Sequence, residues 1–346
     1  MIDLDIDGVS AASTRIFAAA GMPGDMAEQL TVWLVSSNLS GHPSHGLQRV
    51  TEYVRQIQDG TMDPTARPRV HLETGTTVVL DGQAGPGHFA ADRLTRELAG
   101  KCRESQIAMG GIINGRHIGR LGEWGELAAD LGVLLYISLG SASGWMTATF
   151  GAAEGRLGTN PIAFGAPGQD GDSFVMDFAT SAAAEGKVRV ARDSGKSVPE
   201  GWIRDADGRA TTDPNDFYDG GTMLTFGEHK GSAIAIMTTL FSVVTASAGE
   251  DIGDGASVFA FAVDPNAFGR GKETRALIQH QLDRVRSAAP APGFSDVQVP
   301  GDFERRSRAA LSGGPLQLPE PTWEGFLQAA DRVEIPRVEI EALALA

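Results

Sequence analysis

The chain has 346 residues, enough for two ordinary domains or one large α/β unit. Its 29 basic against 44 acidic residues leave a net charge of −15 with no segregated basic run, which argues against nucleic acid and anionic membranes as partners. The single cysteine, Cys102, excludes a disulfide framework and cysteine-based metal clusters, and the 44 glycines follow no period, which excludes collagen and low-complexity sequence.

The opening MIDLDIDGVS carries no basic start followed by an apolar stretch, so the expectation is a cytoplasmic protein without a targeting segment. Three helices are predicted next. The first, 10–20, stops at Gly21 with Pro23 beyond. The second begins at Asp25 and Glu28 in a capping-box-like pattern and places Met26, Leu30, Trp33 and Leu34 on one face. The third runs from Ser44 to Gly60 with Leu47, Val50, Val54 and Ile57 as its apolar stripe.

From Thr76 the pattern changes to strands, TTVVLD, IAMGGII and VLLYISL, alternating with helices at 88–103 and 121–131. PIAFGAP, SFVMDF and SVFAFAV are further strands, the last apolar enough to be covered on both faces. Residues 193–221 are a turn-rich excursion with Asp207-Gly208 at a hairpin tip. Gly231 to Gly249 is uncharged over nearly a membrane's width, but Ser232, Thr238, Thr239, Ser242, Thr245 and Ser247 dilute it, so it reads as a buried helix. Helices at 272–287 and 321–331 complete the chain. The expected fold is α/β, with a helical region over 1–72, a central mixed-sheet domain over 73–279, and a segment over 280–346 packing on the first region.

The glycine-rich GQAGPG after TTVVLD invites a dinucleotide-fold reading, but its spacing does not support one. Gly82, Gly85 and Gly87 form G-x-x-G-x-G rather than G-x-G-x-x-G, and the next strand ends in Asn114 rather than an acid. No Gly-Lys-Ser/Thr follows. The segment reads as a strand-to-helix turn, and no ordinary Rossmann unit is expected.

Chemistry concentrates in two segments. If Ser44 caps the third helix, His45, Arg49 and Tyr53 recur every four residues along one stripe. An arginine near a helix start suits a carboxylate, and a histidine beside it handles protons near neutral pH. The alternative is an ordinary polar helix face. The second segment, NGRHIGRLG over 114–122, follows a strand and precedes a helix, with His117 between Arg116 and Arg120; here the alternative is a solvated loop histidine. His42 and His45 lack a third metal-type ligand nearby, so no metal is expected. His71, His88 and His280 read as surface or packing residues. Asp177 ends a strand where its carboxylate reaches a cleft and can hold a histidine. Lys230 opens the long uncharged helix, which suits an anion bridging the two.

Taken together, SHGLQR (44–49), GRHIGRLGEW (115–124), RLGTNPIAFGAP (156–167), MDFATS (176–181), VPEGWIRDADGRATTDP (198–214), GEHKG (227–231) and PGDFE (300–304) resemble the type-2 malate/L-lactate dehydrogenase family, also called L-sulfolactate-dehydrogenase-like, along nearly the whole chain. The resemblance implies a non-Rossmann NAD(P)-dependent oxidoreductase, homodimeric, acting on small 2-hydroxy or 2-oxo acids, with cyclic 2-imino acids as the alternative substrate class. It implies NAD or NADP as cofactor, with a lean to NAD. By position it assigns Arg49, Tyr53 and Thr159 to the substrate, and Ser44, His45 and Asp177 to a proton relay, with His117 facing the reacting centre. The cofactor would lie against Arg116, His117, Ser141, Phe178, Ala179, Thr180, Ser181, His229, Lys230, Gly301, Asp302, Glu304 and Arg305. Two positions depart from the family pattern: Glu228 replaces a glycine, and Ile118 replaces a phenylalanine. A metal-dependent hydrolase and a non-catalytic ligand-binding relative are the readings from other classes.

Overall fold

The computed structural model describes residues 1–141, 143–249, 256–311 and 313–345. β1 (Ile2–Leu4) leads into α1 (Ile6–Ala19), which starts earlier than its periodicity suggests because the Asp5 carboxylate accepts the Gly8 N–H as an N-cap. α2 (Gly24–Leu39) buries Met26, Leu30, Trp33 and Leu34, as its pattern predicts.

The third predicted helix is broken. Pro43–His45 form a separate 3-10 turn, and α3 spans only Arg49–Gln58. The break has a packing cause: Asn38 Oδ1 accepts the Leu47 N–H at 2.7 Å, and a Cβ at Gly46 would collide with that same side chain. Ser44 therefore does not cap α3. His45 sits on the turn before the helix rather than on a stripe shared with Arg49 and Tyr53, and Tyr53 is fully buried.

β2 (Arg69–Glu73), β3 (Thr77–Asp81), α4 (Gly87–Ser105), β4 (Ile107–Ile113), α5 (Leu121–Asp130) and β5 (Leu134–Ser141) follow. Short strands β6 (Thr147–Ala148) and β7 (Gly155–Leu157) precede β8 (Ile162–Ala166) and β9 (Phe174–Phe178). The excursion contains α6 (Glu185–Asp193), β10 (Ile203–Arg204), β11 (Ala210–Thr211), α7 (Pro214–Tyr218) and β12 (Thr222–Met223). Then come α8 (His229–Ala246), β13 (Ala256–Val263), α9 (Gly271–Arg286), α10 (Asp302–Leu311), β14 (Leu316–Leu318), α11 (Glu320–Arg332) and α12 (Arg337–Ala344).

The main sheet has the order β2-β3-β4-β13-β5-β8-β9, parallel only between β3 and β4. One core joins the N-terminal helices, this sheet and the C-terminal helices. β1 pairs antiparallel with β14, and the Asp5 N–H donates to the Ala344 carbonyl at 2.9 Å. The excursion has a small core of its own, Val188, Val198, Ile203, Phe217 and Met223, beside the second sheet, β11-β10-β12-β6-β7. Its β10–β11 hairpin turns at Asp207-Gly208, as predicted.

Two local features position the site. At the end of β3, the Gly82 and Ala84 N–H groups donate to the Ile113 and Asn114 carbonyls, both at 2.8 Å, and a Cβ on Gly87 would strike the Arg116 carbonyl. The glycine-rich turn thus clamps the His117 loop by close backbone approach. α8, expected to be buried, is buried on one side only. Ser232, Ala235, Thr238, Ser242 and Thr245 are buried, with Ser242 Oγ 2.6 Å from the carbonyls of both Gly140 and Ser257. Ile236, Met237, Leu240 and Val244 face outward. Its small polar residues are what let the helix sit close to the sheet. No helix among the described residues is long and apolar enough to cross a membrane.

Candidate active site

Four elements bring rings together. His45, from the 3-10 turn, stacks on His117, from the loop after β4, with centroids 5.5 Å apart and planes 18° apart. Tyr53 of α3 places its hydroxyl 2.6 Å from His117 Nδ1, and the Gly119 N–H donates to the same nitrogen at 3.3 Å. His88, from the first turn of α4, lies beneath them, edge-on to Tyr53 and His117 and stacked on Trp33 at 5.7 Å. Gly119, at φ +73°, has no room for a Cβ because His88 occupies that space.

Electrostatics keep these rings neutral at pH 7. Burial, reinforced by the charges of Arg49, His42 and Arg120, pulls His45 down to about 4. Burial takes His88 to about 3 and His117 well below the ordinary histidine value, with Arg49 and the neighbouring histidines acting in the same direction. Burial pushes the Tyr53 hydroxyl far up. Ser44 Oγ lies 3.1 Å from His45 Nδ1. Neither Nε2 of the stacked pair has a partner among the described residues, nor is either sealed from solvent, so both open outward.

Arg49 lies close by, on the first turn of α3. Its Nε donates to the Ser44 carbonyl at 2.7 Å and its Nη1 to Glu52 at 2.5 Å. It borders a cleft of about 280 Å³ that Arg55, Arg189 and Arg332 also line, a concentration of cations in an otherwise acidic chain. Thr159 accepts the Thr180 N–H through its carbonyl at 2.8 Å, linking two of the predicted segments.

Among the described residues Asp177 bonds a helix start, not a histidine. Its Oδ2 accepts the Gly122 N–H at 2.7 Å, at the start of α5, and Arg120 is the nearest cationic influence. Among the described residues no hydrogen bond joins Asp177 to His45. The carboxylate satisfies one of the N–H groups that a helix start leaves unpaired, which competes with its holding a histidine. Burial pushes this carboxyl up, while the Gly122 N–H and Arg120 pull against that shift.

The predicted cofactor residues divide into two groups. Phe178 is exposed and meets Phe226 edge-on at 5.4 Å, with half-buried Ala179 next to it. Thr180 and Ser181 continue this edge, with Ser181 bridged to Thr225. His229 and Lys230 are exposed on the first turn of α8, and a Cβ at Gly231 would collide with the Phe226 carbonyl. Arg116 is exposed on the His117 loop, and Ser141 ends β5 with its Oγ 3.1 Å from that of Ser143. An exposed aromatic face and a cationic helix start fit a dinucleotide.

The second group is engaged elsewhere. Arg286, which is outside the predicted set, bonds Asp172 and Asp302 at 2.5 and 2.8 Å. Arg305 bonds Asp302 at 2.5 Å, Asp172 at 2.8 Å and the Ser173 carbonyl at 2.8 Å. Asp302 also accepts the Val299 N–H at 2.8 Å, beside Gly301 at φ +101°. Glu304 accepts from His42 at 2.8 Å, so His42 is tied to α10 rather than paired with His45 around a metal. Burial acts to raise Glu304, but the His42 hydrogen bond, its own backbone N–H and the charges of His42 and Arg120 together hold the carboxyl low. No cluster among the described residues has the make-up of a metal site.

The sequence reads His88 as a surface or packing residue; it packs, buried and stacked on Trp33, but that reading gives it no place beside His117. The only local signal was its position directly after the PG that opens α4.

The sequence profile described as malate/L-lactate dehydrogenase matches residues 4–326. An L-lactate dehydrogenase from Cupriavidus necator is 31 % identical over 332 residues, covering 92 % of this chain and 95 % of the relative. A Delta(1)-pyrroline-2-carboxylate/Delta(1)-piperideine-2-carboxylate reductase from Pseudomonas putida is 36 % identical over 227 residues, 66 % of each chain. The solved sulfolactate dehydrogenase from Methanocaldococcus jannaschii superimposes with a TM-score of 0.86 at 25 % identity, covering 98 % of this chain and 99 % of that one. The chain is thus an oxidoreductase of the malate/L-lactate dehydrogenase family.

Proposed function

We propose that the enzyme transfers hydride between a nicotinamide and C2 of a small 2-hydroxy or 2-oxo acid. The observation that carries this reading is the stacked pair of neutral imidazoles beside Arg49 in a chain of this family. A bound nicotinamide supplies or accepts the hydride. Arg49 holds the substrate carboxylate, exchanging part of its contact with Glu52 for a charge-assisted pair. When His45 Nδ1–H donates to Ser44 Oγ, the lone pair is left on Nε2, the nitrogen that opens to solvent. In oxidation, neutral His45 takes the hydroxyl proton there. In reduction, the protonated ring returns it, so reduction quickens as pH falls toward the His45 value of about 4.

Phe178 to Ser181 and the start of α8 hold the dinucleotide. NAD is favoured over NADP, since Arg305, a cation of the predicted cofactor set that a 2′-phosphate would need free, is engaged by Asp302, Asp172 and the Ser173 carbonyl. The outward apolar side of α8 supports a homodimer, which sedimentation would register. The P. putida reductase supports a second reading on the same site, reduction of cyclic 2-imino acids.

Absorbance at 340 nm with NADH and NADPH, against panels of 2-oxo acids and cyclic imines, separates the two. Turnover of 2-oxo acids is expected, and turnover of imines alone favours the second reading. In the same assay, Arg49→Ala should raise KM for the acid by roughly ten- to a hundredfold, the worth of a charge-assisted hydrogen bond or two. An unchanged KM removes the clamp.

A further inference from the structure

We propose that Tyr53 and the Gly119 amide lock His117 in its Nε2–H form, making His117 a fixed hydrogen-bond donor to the substrate oxygen and leaving proton transfer to His45. This rests on the reading above, with His117 placed at the same reacting carbon as His45, on which it stacks.

A backbone amide can only donate. Because the Gly119 N–H points at His117 Nδ1, that nitrogen must offer its lone pair, and the Tyr53 hydroxyl at 2.6 Å is left to donate to it as well. A neutral imidazole carries one proton, which then belongs on Nε2, the nitrogen that opens to solvent. His45 is different. Its Nδ1 faces a serine hydroxyl, which can accept as readily as donate, so its Nε2 is free to carry a lone pair. Two parallel rings, one with a dual-role partner and one with two donors, have different chemistry available at their open nitrogens.

The surroundings reinforce the lock. The groups facing His117 are His45, His88, Tyr53 and Arg49, none of them a carboxylate that would stabilise a second proton on the ring. Tyr53 is fully buried, and burial disfavours its phenolate. It therefore does not hand its proton to Nδ1 to free the Nε2 proton for transfer. His117 polarises the carbonyl oxygen, or steadies the alkoxide, without changing its own charge. Tyr53 is a positioning residue: it contacts the ring and acts through it. Gly119 contributes because its φ of +73° and its contact with His88 admit no side chain, which fixes where its N–H points.

Nitrogen NMR of the full-length protein labelled at histidine tests the lock without any substrate. The His117 ring, assigned by its disappearance in His117→Gln, should show a protonated Nε2 and an unprotonated Nδ1 at pH 7. A ring protonated at Nδ1, or at both nitrogens, overturns the proposal. Tyr53→Phe keeps the volume and removes the donor. Its Nδ1 signal should move, and kcat should fall by roughly ten- to a hundredfold with KM for the acid nearly unchanged, the penalty of a loosened catalytic group. An unchanged spectrum and kcat in folded Tyr53→Phe also overturn it. Should Tyr53→Phe fail to fold, the spectrum of the unsubstituted protein still decides. If no acid or imine is turned over, the proposed function fails while the spectrum reports on the lock alone.

Discussion

Two polar clusters hold most of the residues that stand out in the sequence, and they are built in opposite ways. The histidine cluster leaves the Nε2 atoms of His45 and His117 without partners and open. The cluster of Arg286, Arg305, Asp172 and Asp302 closes on itself, with each arginine bonded to both carboxylates. An open group with a depressed proton affinity is available for chemistry, whereas a saturated ion-pair network is available mainly for holding α9 and α10 onto the sheet edge. Under the proposed function, the difference separates residues that act from residues that support, even though both kinds fall inside conspicuous motifs.

Substitutions in each cluster should show this contrast. The largest effect is expected at His45. His45→Gln should lower turnover by about 10²–10⁴, the usual worth of a placed acid/base, while calorimetry finds nicotinamide binding nearly intact. Full rate in His45→Gln beside a dead His117→Gln would reverse the two roles.

Next comes the floor of the open cluster. His88 titrates at about 3 in the folded protein, against about 6.5 in an unfolded chain. Below pH 6.5 the unfolded state binds a proton that the folded state refuses, so stability falls as pH drops from 6.5 toward 3, by at most about 1.4 kcal/mol per pH unit from this residue. Thermal unfolding of His88→Gln should therefore depend less on pH in that window, and an identical slope contradicts the cause.

Asp302→Ala should cost about 2 kcal/mol of stability, because it strands two arginines and the Val299 amide, yet leave kcat of the folded enzyme within a few-fold. A selective rise in KM for the nicotinamide would move Asp302 from the supporting to the acting side. The smallest effect is expected at Glu228, which holds φ +56° and ψ −122° at the start of α8, where the family pattern has glycine. Glu228→Gly should gain about 1 kcal/mol in denaturant unfolding by relieving the backbone. It should also lower KM for the nicotinamide by removing an anion from the start of α8, where the dinucleotide is proposed to lie.

Much of this was legible in the sequence because glycine and proline mark the turns that carry the chemistry. SHGLQR and GRHIGR stand out, and six of the seven strands of the main sheet follow from their apolar runs, the exception being the exposed edge strand β2. Four other things were not legible. The shared stripe of His45, Arg49 and Tyr53 assumed a continuous helix, and periodicity carries no trace of the Asn38 contact that breaks it at Gly46. His88 acquires its place only when α2, α3, α4 and the His117 loop converge, a juxtaposition of residues far apart in the chain. Asp177 sits on the predicted strand end, but which of two nearby claimants its carboxylate serves, a histidine or the start of α5, depends on packing. The outward side of α8 was missed for a related reason: composition says that a face is apolar but not whether the same chain covers it.

The most direct test of the central claim follows the hydride itself. With reduced nicotinamide deuterated at C4 on the transferred face and a 2-oxo acid as acceptor, mass spectrometry should find one deuterium at C2 of the hydroxy acid product and none lost to solvent. Product lacking deuterium, or deuterium appearing in water instead, would contradict direct transfer at this site.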